Sequence, residues 1–308
     1  MKVLISGLLN IETNVPVKAF PLEYTAVEYL SMQIKANVSG VGYNLVKAFK
    51  TLGDSPEIIS YIGNDVQGGI IKNQLEHDGI SLDGVSETLT NTPVSVILVD
   101  KNGKRQIFTD LKDIQQKSVD INSSVEEKIK NADIVCACNI NFSRPILDKA
   151  RELGKIVATD VHALSNVYDL YNTDFISKSD ILFMSDEKLP NVPEKIIEHF
   201  RDQYEHKVIV IGMGSKGAML FDREFDDIYM LSAANFGNVK NTVGAGDALF
   251  SSFLHFYGKS MNSIDSLRRA ETFAALKIQH DGGGADGFCT ETDIEKALGH
   301  SGITVAKI

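Results

Sequence analysis

Short β-branched and apolar runs alternate with segments of helical spacing along most of the chain, and this alternation limits the possible folds more than any other feature. Strands that alternate with helices form a parallel sheet that is covered on both faces. We therefore predict an α/β fold. Its core strands are expected at 2–6, 57–62, 134–138, 155–160, 181–184, 207–211 and 217–221.

The segments between these runs carry the apolar stripes of helices. We predict helices at 44–52, 68–78, 193–204 and 248–257. The first two are followed by Gly53 and Gly79, which suit the left-handed residue that commonly ends a helix. The last is apolar on most sides, which predicts a buried helix.

Two regions, 12–36 and 91–112, do not follow this alternation. Both contain extended, alternating stretches, and 94–109 reads as a hairpin whose turn contains Asn102 and Gly103. Strands outside a doubly wound sheet need partners elsewhere, so we predict a small β flap inserted into the main domain. No linker or repeat divides the chain, and residues 1–308 are expected to form one domain.

Composition excludes several functional classes. The 308 residues are 43% apolar, which is too many for a disordered chain, and 41 acidic against 31 basic residues give a net charge of −10. Such a chain has no overall field for nucleic acid, and no stretch approaches the roughly 20 apolar residues of a membrane span. Three sparse cysteines without a CxxC pair do not predict zinc and suit a reducing cytoplasm.

The most informative stretch is 241–254, Asn-Thr-Val-Gly-Ala-Gly-Asp-Ala-Leu-Phe-Ser-Ser-Phe-Leu. A small-residue turn leads into an apolar helix, so unpaired first-turn amides can bind an anion, and Gly244 and Gly246 allow close approach. A carboxylate beside a bound phosphate repels it unless it has a chemical role. Asp247 therefore suggests a base for phosphoryl transfer, and the alternative is an acid that only stabilises the helix dipole.

A second glycine-rich stretch, 212–217, matches G-x-G-x-x-G but does not predict a dinucleotide site. A Rossmann fingerprint must open a helix, whereas the residues after Gly217 continue as a strand. We interpret this stretch as a hairpin turn. A Walker loop is absent from the sequence, so phosphate binding would need another architecture.

Residues 241–247 resemble the D-T-x-G-A-G-D signature of the PfkB (ribokinase-like) sugar and nucleoside kinases. Further motifs similar to those of the family follow in the family's order at 39–44, 62–68, 79–80, 180–187 and 212–217. The resemblance covers nearly the whole chain. It implies a three-layer α/β/α fold with a mostly parallel central sheet and a β flap over the substrate.

The resemblance also implies roles for individual residues. Asp247 would be the catalytic base, and the phosphoryl group would be bound by Thr242, Gly244, Ala245 and Gly246. The nucleotide would be bound by Ser185, Gly214, Gly217, Thr272 and Ala275. The acceptor would be bound by Asn10, Glu12, Gly40, Gly42 and Asn44.

Several positions depart from the family pattern. Glu12 stands where an aspartate is usual, Asn241 replaces the first Asp of the signature, and Gly212 replaces a threonine. Ser-Asp-Glu-Lys at 185–188 replaces N-x-x-E, so the acid that helps to organise Mg²⁺ is either Glu187, shifted by one position, or missing. Mg²⁺ keeps several waters and needs few protein carboxylates, so an active site remains the expectation.

Other residues have two interpretations. His162 and Asp160 follow a predicted strand, at the sheet edge where ligands bind in open α/β folds, or lie in a surface loop. Arg105 and Lys112 would meet an anionic substrate group or be solvated. Flap residues Tyr24, Tyr29 and Met32 would cover a substrate ring or form a flap-to-flap homodimer.

We therefore predict a cytoplasmic kinase that uses ATP and Mg²⁺ to phosphorylate an alcohol of a small sugar. The variant signatures at 40–44 and 241–247 are also similar to those of pseudouridine-kinase-like members, so a nucleoside acceptor is the alternative. A non-catalytic sugar or nucleotide sensor with the same fold is a third interpretation. It is suggested by the altered motifs at Gly212 and Lys188, and Asp247 argues against it.

Overall fold

The computed structural model describes residues 1–101, 103–237, 239–280 and 284–308, and Asn102 of the predicted hairpin turn lies outside them. The strands in chain order are β1 Lys2–Ser6, β2 Asn10–Val17, β3 Lys35–Ser39, β4 Ser55–Gly63, β5 Val85–Leu89, β6 Val94–Asp100, β7 Arg105–Asp110, β8 Ile134–Ala137, β9 Ile156–Ala163, β10 Ile181–Ser185, β11 Val208–Gly212, β12 Ala218–Asp222, β13 Asp227–Leu231 and β14 Val305–Lys307.

The helices are α1 Val41–Thr51, α2 Val66–His77, α3 Ser123–Asn131, α4 Arg144–Glu152, α5 Thr173–Lys178, α6 Pro193–Gln203, α7 Ala245–Ser260, α8 Ser263–Lys277 and α9 Glu291–Leu298. Short 3₁₀ turns occur at Ile114–Gln116, Asn141–Ser143 and Gly214–Lys216. Within the described ranges, no helix is both long enough and apolar enough to cross a membrane.

The larger of the two sheets that the described residues form has ten strands in the order β14-β13-β12-β11-β10-β9-β8-β1-β4-β5. The strands from β11 to β5 in this order pair in parallel, and β12, β13 and β14 add an antiparallel edge. Central strands β1, β8, β10 and β11 are almost wholly buried, which explains their continuous apolar sequences. The predicted α/β fold with a mostly parallel sheet is confirmed.

The second sheet is the flap, with strand order β3-β2-β6-β7. Strands β6 and β7 form the predicted antiparallel hairpin, and β2 pairs in parallel with β6. The prediction of continuous extended structure over 12–36 was too broad, because residues 18–34 contain no strand. Most of that segment is exposed, so its alternating pattern does not reflect a buried face.

Helices α1 and α7 start earlier than predicted. Helix α7 begins at Ala245, three residues before the predicted start, and α1 begins at Val41. Glycine and alanine give little periodic signal, so the pattern cannot mark a first turn made of them. The earlier start of α7 matters for the site, because it places Asp247 in the first turn of the helix.

Two of the three cysteines lie at the end of β8 or just after it. Cys136 and Cys138 are both buried, and burial raises the pKa of each thiol well above its usual value. Such thiols are inert at neutral pH. The cytoplasmic location that the cysteine count suggests stays a prediction.

Candidate active site

Helix α7 begins at a small-residue turn. Gly244 is the N-cap residue and has no side chain to cap the helix, and its carbonyl accepts the first helical hydrogen bond. The Ala245 N–H donates to the Thr242 carbonyl at 3.2 Å and closes the turn. The Gly246 and Asp247 amides precede the regular bonding pattern, so they and the positive end of the helix dipole face the space ahead of α7.

Gly244 is required at this turn for steric reasons. Its backbone is left-handed, with φ of 77°, and a Cβ built on it would lie 2.2 Å from the Gly284 carbonyl oxygen. Gly284 has no spare room either, because its own Cβ would lie 2.6 Å from Asn44 Nδ2. The turn before α7, the loop at Gly284 and helix α1 are thus in close contact.

The same packing brings Asn44 to Asp247. Asn44 Nδ2 donates a 2.6 Å hydrogen bond to Asp247 Oδ2, which joins the first turns of α1 and α7. Protein around the carboxyl raises its pKa by desolvation, and the Asn44 hydrogen bond opposes that rise. A carboxylate with a raised pKa is a better proton acceptor, so the site has a candidate general base.

Asp160 and His162 belong to the electrostatic environment of this carboxylate. Asp160 raises the pKa of Asp247 and His162 lowers it. Both residues lie near the end of β9, and His162 Nδ1 is 3.6 Å from Asp160 Oδ2. The structure therefore places the predicted pair at the same sheet edge as Asp247.

The acceptor-binding candidates Asn10 and Glu12 lie on one face of β2 and are buried. Ser39 Oγ donates to Glu12 Oε2 at 3.1 Å, and Asn14 Nδ2 donates to Glu12 Oε1 at 2.9 Å. Asn10 Nδ2 donates to Ser95 Oγ at 2.7 Å. The flap thus holds a buried carboxylate in a defined orientation.

Three buried polar atoms on this flap face have no hydrogen-bond partner within the described residues: Asn10 Oδ1, Asn14 Oδ1 and Asn37 Nδ2. The register of β2 and β3 pairs Glu12 with Asn37, so these side chains and the carboxylate share one face. Buried polar groups are normally paired, so this face suits a ligand with several hydroxyl groups.

The glycines at the start of α1 position this face relative to α7. Gly40 caps α1 with φ of 98°, and the Gly42 N–H donates to the Leu8 carbonyl at 2.9 Å. That bond ties α1 to the β1–β2 connection. Both predicted acceptor-binding glycines therefore lie where the flap joins the main sheet.

The nucleotide-binding candidates Ser185 and Gly214 lie at the carboxyl ends of β10 and β11. Ser185 is the register partner of Gly212, and its Oγ accepts from Glu187 N–H at 3.1 Å. Gly217 follows the 3₁₀ turn that starts at Gly214, and a Cβ on it would lie 2.0 Å from the Leu231 carbonyl oxygen. The stretch is a turn between antiparallel strands, which confirms that no Rossmann helix follows it.

The two remaining nucleotide candidates lie on α8. Thr272 is fully buried, and its hydroxyl donates to the Arg268 carbonyl at 3.0 Å. Ala275 is one turn further along and is 9% exposed. The Thr272 hydroxyl therefore forms its hydrogen bond within α8. Nucleotide binding by Thr272 and Ala275 stays a prediction.

Comparison with known proteins identifies the family of this site. Residues 1–288 match the family model described as pfkB family carbohydrate kinase. The chain belongs to this family. It is a carbohydrate or nucleoside kinase with the ribokinase-like α/β fold.

Named relatives of the pfkB kinase cover almost its whole length. An ATP-dependent ribose-1-phosphate kinase of Halopiger xanaduensis is 24% identical over 288 residues, which are 92% of this chain and 93% of the relative. The microbiome-derived acarbose kinase Mak1 has a TM-score of 0.85 at 22% identity, with 97% and 98% of the two chains covered. Arabidopsis thaliana ribokinase, solved with ribose and ATP, has a TM-score of 0.79 at 19% identity, with 96% and 98% covered.

Potential metal ligands are sparse among the described residues of the kinase. Glu187 is exposed beyond the end of β10, and the described residues contain no group of three or more acidic, histidine or cysteine side chains that could hold a metal. Glu187 therefore stays a prediction as a Mg²⁺ ligand.

Some residues of the site were not predicted from the sequence. Asn14 and Asn37 extend the polar face of the flap, and the alternation of Asn10, Glu12 and Asn14 was the available signal. Lys277, within the apolar end of α8, is 1% exposed and its ammonium contacts the Val243 carbonyl. A lysine in an apolar helix pattern is a signal that this position needs a partner.

Glu271 gives the kinase a testable pH dependence of stability. It is 6% exposed on α8, and burial raises its pKa to about 8 from the ordinary value of 4.5. Between these values the folded protein keeps a proton that the unfolded chain releases. The free energy of unfolding therefore falls as pH rises from about 4.5 to about 8.

We expect Glu271→Gln to remove this fall, because the amide stays neutral. At pH 8 the variant should be more stable than the wild type by roughly 2–4 kcal/mol. Thermal unfolding of both proteins from pH 5 to pH 9, without nucleotide, measures the difference. Glu127→Gln, at an exposed position on α3, should run parallel to the wild type. Parallel curves for Glu271→Gln would contradict the assignment.

Proposed function

We propose that the kinase transfers the γ-phosphoryl group of ATP to a hydroxyl of a small sugar, with Asp247 as the base. The observation that carries the proposal is the Asn44–Asp247 hydrogen bond. This bond joins Asp247, which has a raised pKa and lies in the first turn of α7, to α1, the helix that follows flap strand β3. Base, anion-binding amides and polar flap face are thereby neighbours.

The proposed mechanism assigns one task to each group. Asp247 accepts the proton of the attacking hydroxyl, and Asn44 holds the carboxylate in place. The Gly246 and Asp247 amides and the helix dipole stabilise the charge on the transferring phosphoryl oxygens. Because phosphoryl transfer has a loose transition state, positioning and charge stabilisation contribute more than base strength.

The flap orients the acceptor in this proposal. Glu12 and the unpaired side-chain atoms of Asn10, Asn14 and Asn37 bind sugar hydroxyls. Closure of the flap excludes water, so that ATP is not hydrolysed. Mg²⁺, held mainly by the ATP phosphates and water with Glu187 as the candidate protein ligand, would supply neutralisation of phosphate charge.

A screen of acceptors tests the proposed reaction. ADP release with Mg-ATP is followed over pentoses, hexoses, sugar phosphates and nucleosides, and we expect turnover on a sugar. Turnover on nucleosides alone would favour the alternative acceptor class. Turnover on none, with ligands still raising the melting temperature, would replace the proposal by the sensor interpretation.

We also propose that a second copy of the chain covers the flap. Several large apolar side chains of the flap and of residues 18–34 are exposed: Leu22, Tyr24, Tyr29, Met32, Ile107 and Phe108. A surface of this kind on a single chain suits a self-complementary interface. Sedimentation velocity should show a dimer, and the double variant Tyr29→Glu, Met32→Glu should sediment as a monomer. A monomeric wild type at micromolar concentration would rule this out.

A further inference from the structure

Lys277 is a buried cation at the end of α8. The residue is 1% exposed, and its ammonium donates a hydrogen bond to the Val243 carbonyl. A buried ammonium is costly unless it is paired. The partner of this ammonium lies in the turn before α7, because Val243 directly precedes Gly244, the N-cap of α7.

The end of α8 also holds the backbone that leads to this turn. The amides of Lys240 and Asn241 both donate to the Ile278 carbonyl, at 2.8 and 3.2 Å. With the Lys277–Val243 contact, three hydrogen bonds connect the end of α8 to the segment 240–243. The position of the turn before α7 therefore depends on the end of α8.

The charges around Lys277 are mostly those of the proposed site. Asp247, Asp286 and Glu12 stabilise the ammonium electrostatically, and Arg105 of the flap disfavours it. Burial is the larger effect and lowers the pKa of Lys277 to about 8. The ammonium is thus charged at neutral pH and loses its proton just above it.

We infer that Lys277 is a positioning residue for phosphoryl transfer, which holds the Val243 carbonyl so that the α7 amides point at the transferring group. Its positive charge also lies close to the turn before α7, where it partly neutralises the negative charges of Asp247, Asp286 and Glu12. The inference rests on the proposed function, because only phosphoryl transfer gives the turn before α7 this task. A merely structural lysine would affect folding and not the reaction.

Lys277→Met tests the inference, since methionine keeps much of the length and removes the charge. We expect kcat to fall about 10- to 100-fold, as for other residues that support a catalytic group, with the KM for the acceptor nearly unchanged. Lys155→Met is the matched control. It removes an ammonium just before the amino end of β9, where it contacts the Lys130 and Ala132 carbonyls, and should leave kcat unchanged.

The pH profile of kcat gives a second readout that does not require a foldable variant. Loss of the Lys277 proton should lower wild-type kcat as pH rises through about 8, because the positive charge that interacts with Glu12, Asp247 and Asp286 is then removed. Glu271 has a pKa of about 8 on the same helix, so Glu271→Gln is measured too and should keep this alkaline limb. Lys277→Arg, which stays charged, should move the limb to higher pH.

The outcomes separate the inference from the proposed function. Wild-type kcat in Lys277→Met, or a wild-type profile that is flat through pH 8, overturns the positioning role and leaves the reaction intact. An alkaline limb that disappears in Glu271→Gln assigns the limb to Glu271 and also overturns it. A wild type without turnover on any acceptor removes the proposed function itself.

Discussion

Asp247→Asn should lower kcat by about 10²- to 10⁴-fold while the affinity for ATP stays nearly unchanged. Asparagine has the same shape, and its carbonyl oxygen can still accept the bond from Asn44 Nδ2. The fold and the α7 N-terminus are therefore preserved, and only the proton acceptor is lost. Steady-state kinetics with the acceptor found in the screen, together with ATP binding by calorimetry, measures both quantities.

Asp160→Asn is the matched control for this variant, because Asp160 is another carboxylate that affects the pKa of Asp247. Its substitution removes a negative charge close to Asp247 without removing the assigned base. We expect a loss of less than about 10-fold, since a neighbouring charge changes only the pKa of the base. Near-normal turnover of Asp247→Asn would refute the role of Asp247. A larger loss in Asp160→Asn would transfer that role to Asp160.

Gly244→Ala should produce the second largest loss, about 10²- to 10³-fold in kcat/KM for ATP. An alanine Cβ would lie 2.2 Å from the Gly284 carbonyl oxygen, and the left-handed backbone is itself unfavourable for alanine. The turn must therefore move, and the α7 amides move with it. We expect a melting temperature lower by several degrees, with the far-ultraviolet circular dichroism unchanged.

Gly154→Ala separates the two causes of this loss. Gly154 also has a left-handed backbone, with φ of 65°, but a Cβ there would meet nothing within 4 Å. Its substitution should cost about 1 kcal/mol of stability and leave kcat/KM unchanged. Normal activity of Gly244→Ala would mean that the α7 amides do not bind the transferring group in this conformation.

The sequence predicts the centre of the fold better than its edges. Strands β1, β8, β10 and β11 were predicted within one or two residues, because buried parallel strands leave continuous apolar runs. Strand β14 was missed, and all three of its residues are exposed. An exposed edge strand is specified by its neighbour in the sheet and leaves no apolar pattern of its own.

The sequence predicted which residues belong to the candidate site, but it did not predict which of them contact each other. The motif around Asp247 predicted a base and an anion-binding turn, and the residues named for both roles lie at the first turn of α7. The bond to Asn44 joins residues 203 positions apart and depends on how α1 packs against α7. No local pattern encodes such a distance, and the same holds for the contact between Lys277 and Val243.

The separation of Asn44 from Asp247 has a consequence for biosynthesis. The strand order places β1 between β8 and β4, so the amino-terminal half can begin its sheet while the rest of the chain is still being made. Helix α7 leaves the ribosome much later than α1. Until then, Asn44 in the first turn of α1 cannot form its hydrogen bond with Asp247. Catalytic activity should therefore appear only after α7 has been translated and has packed against α1.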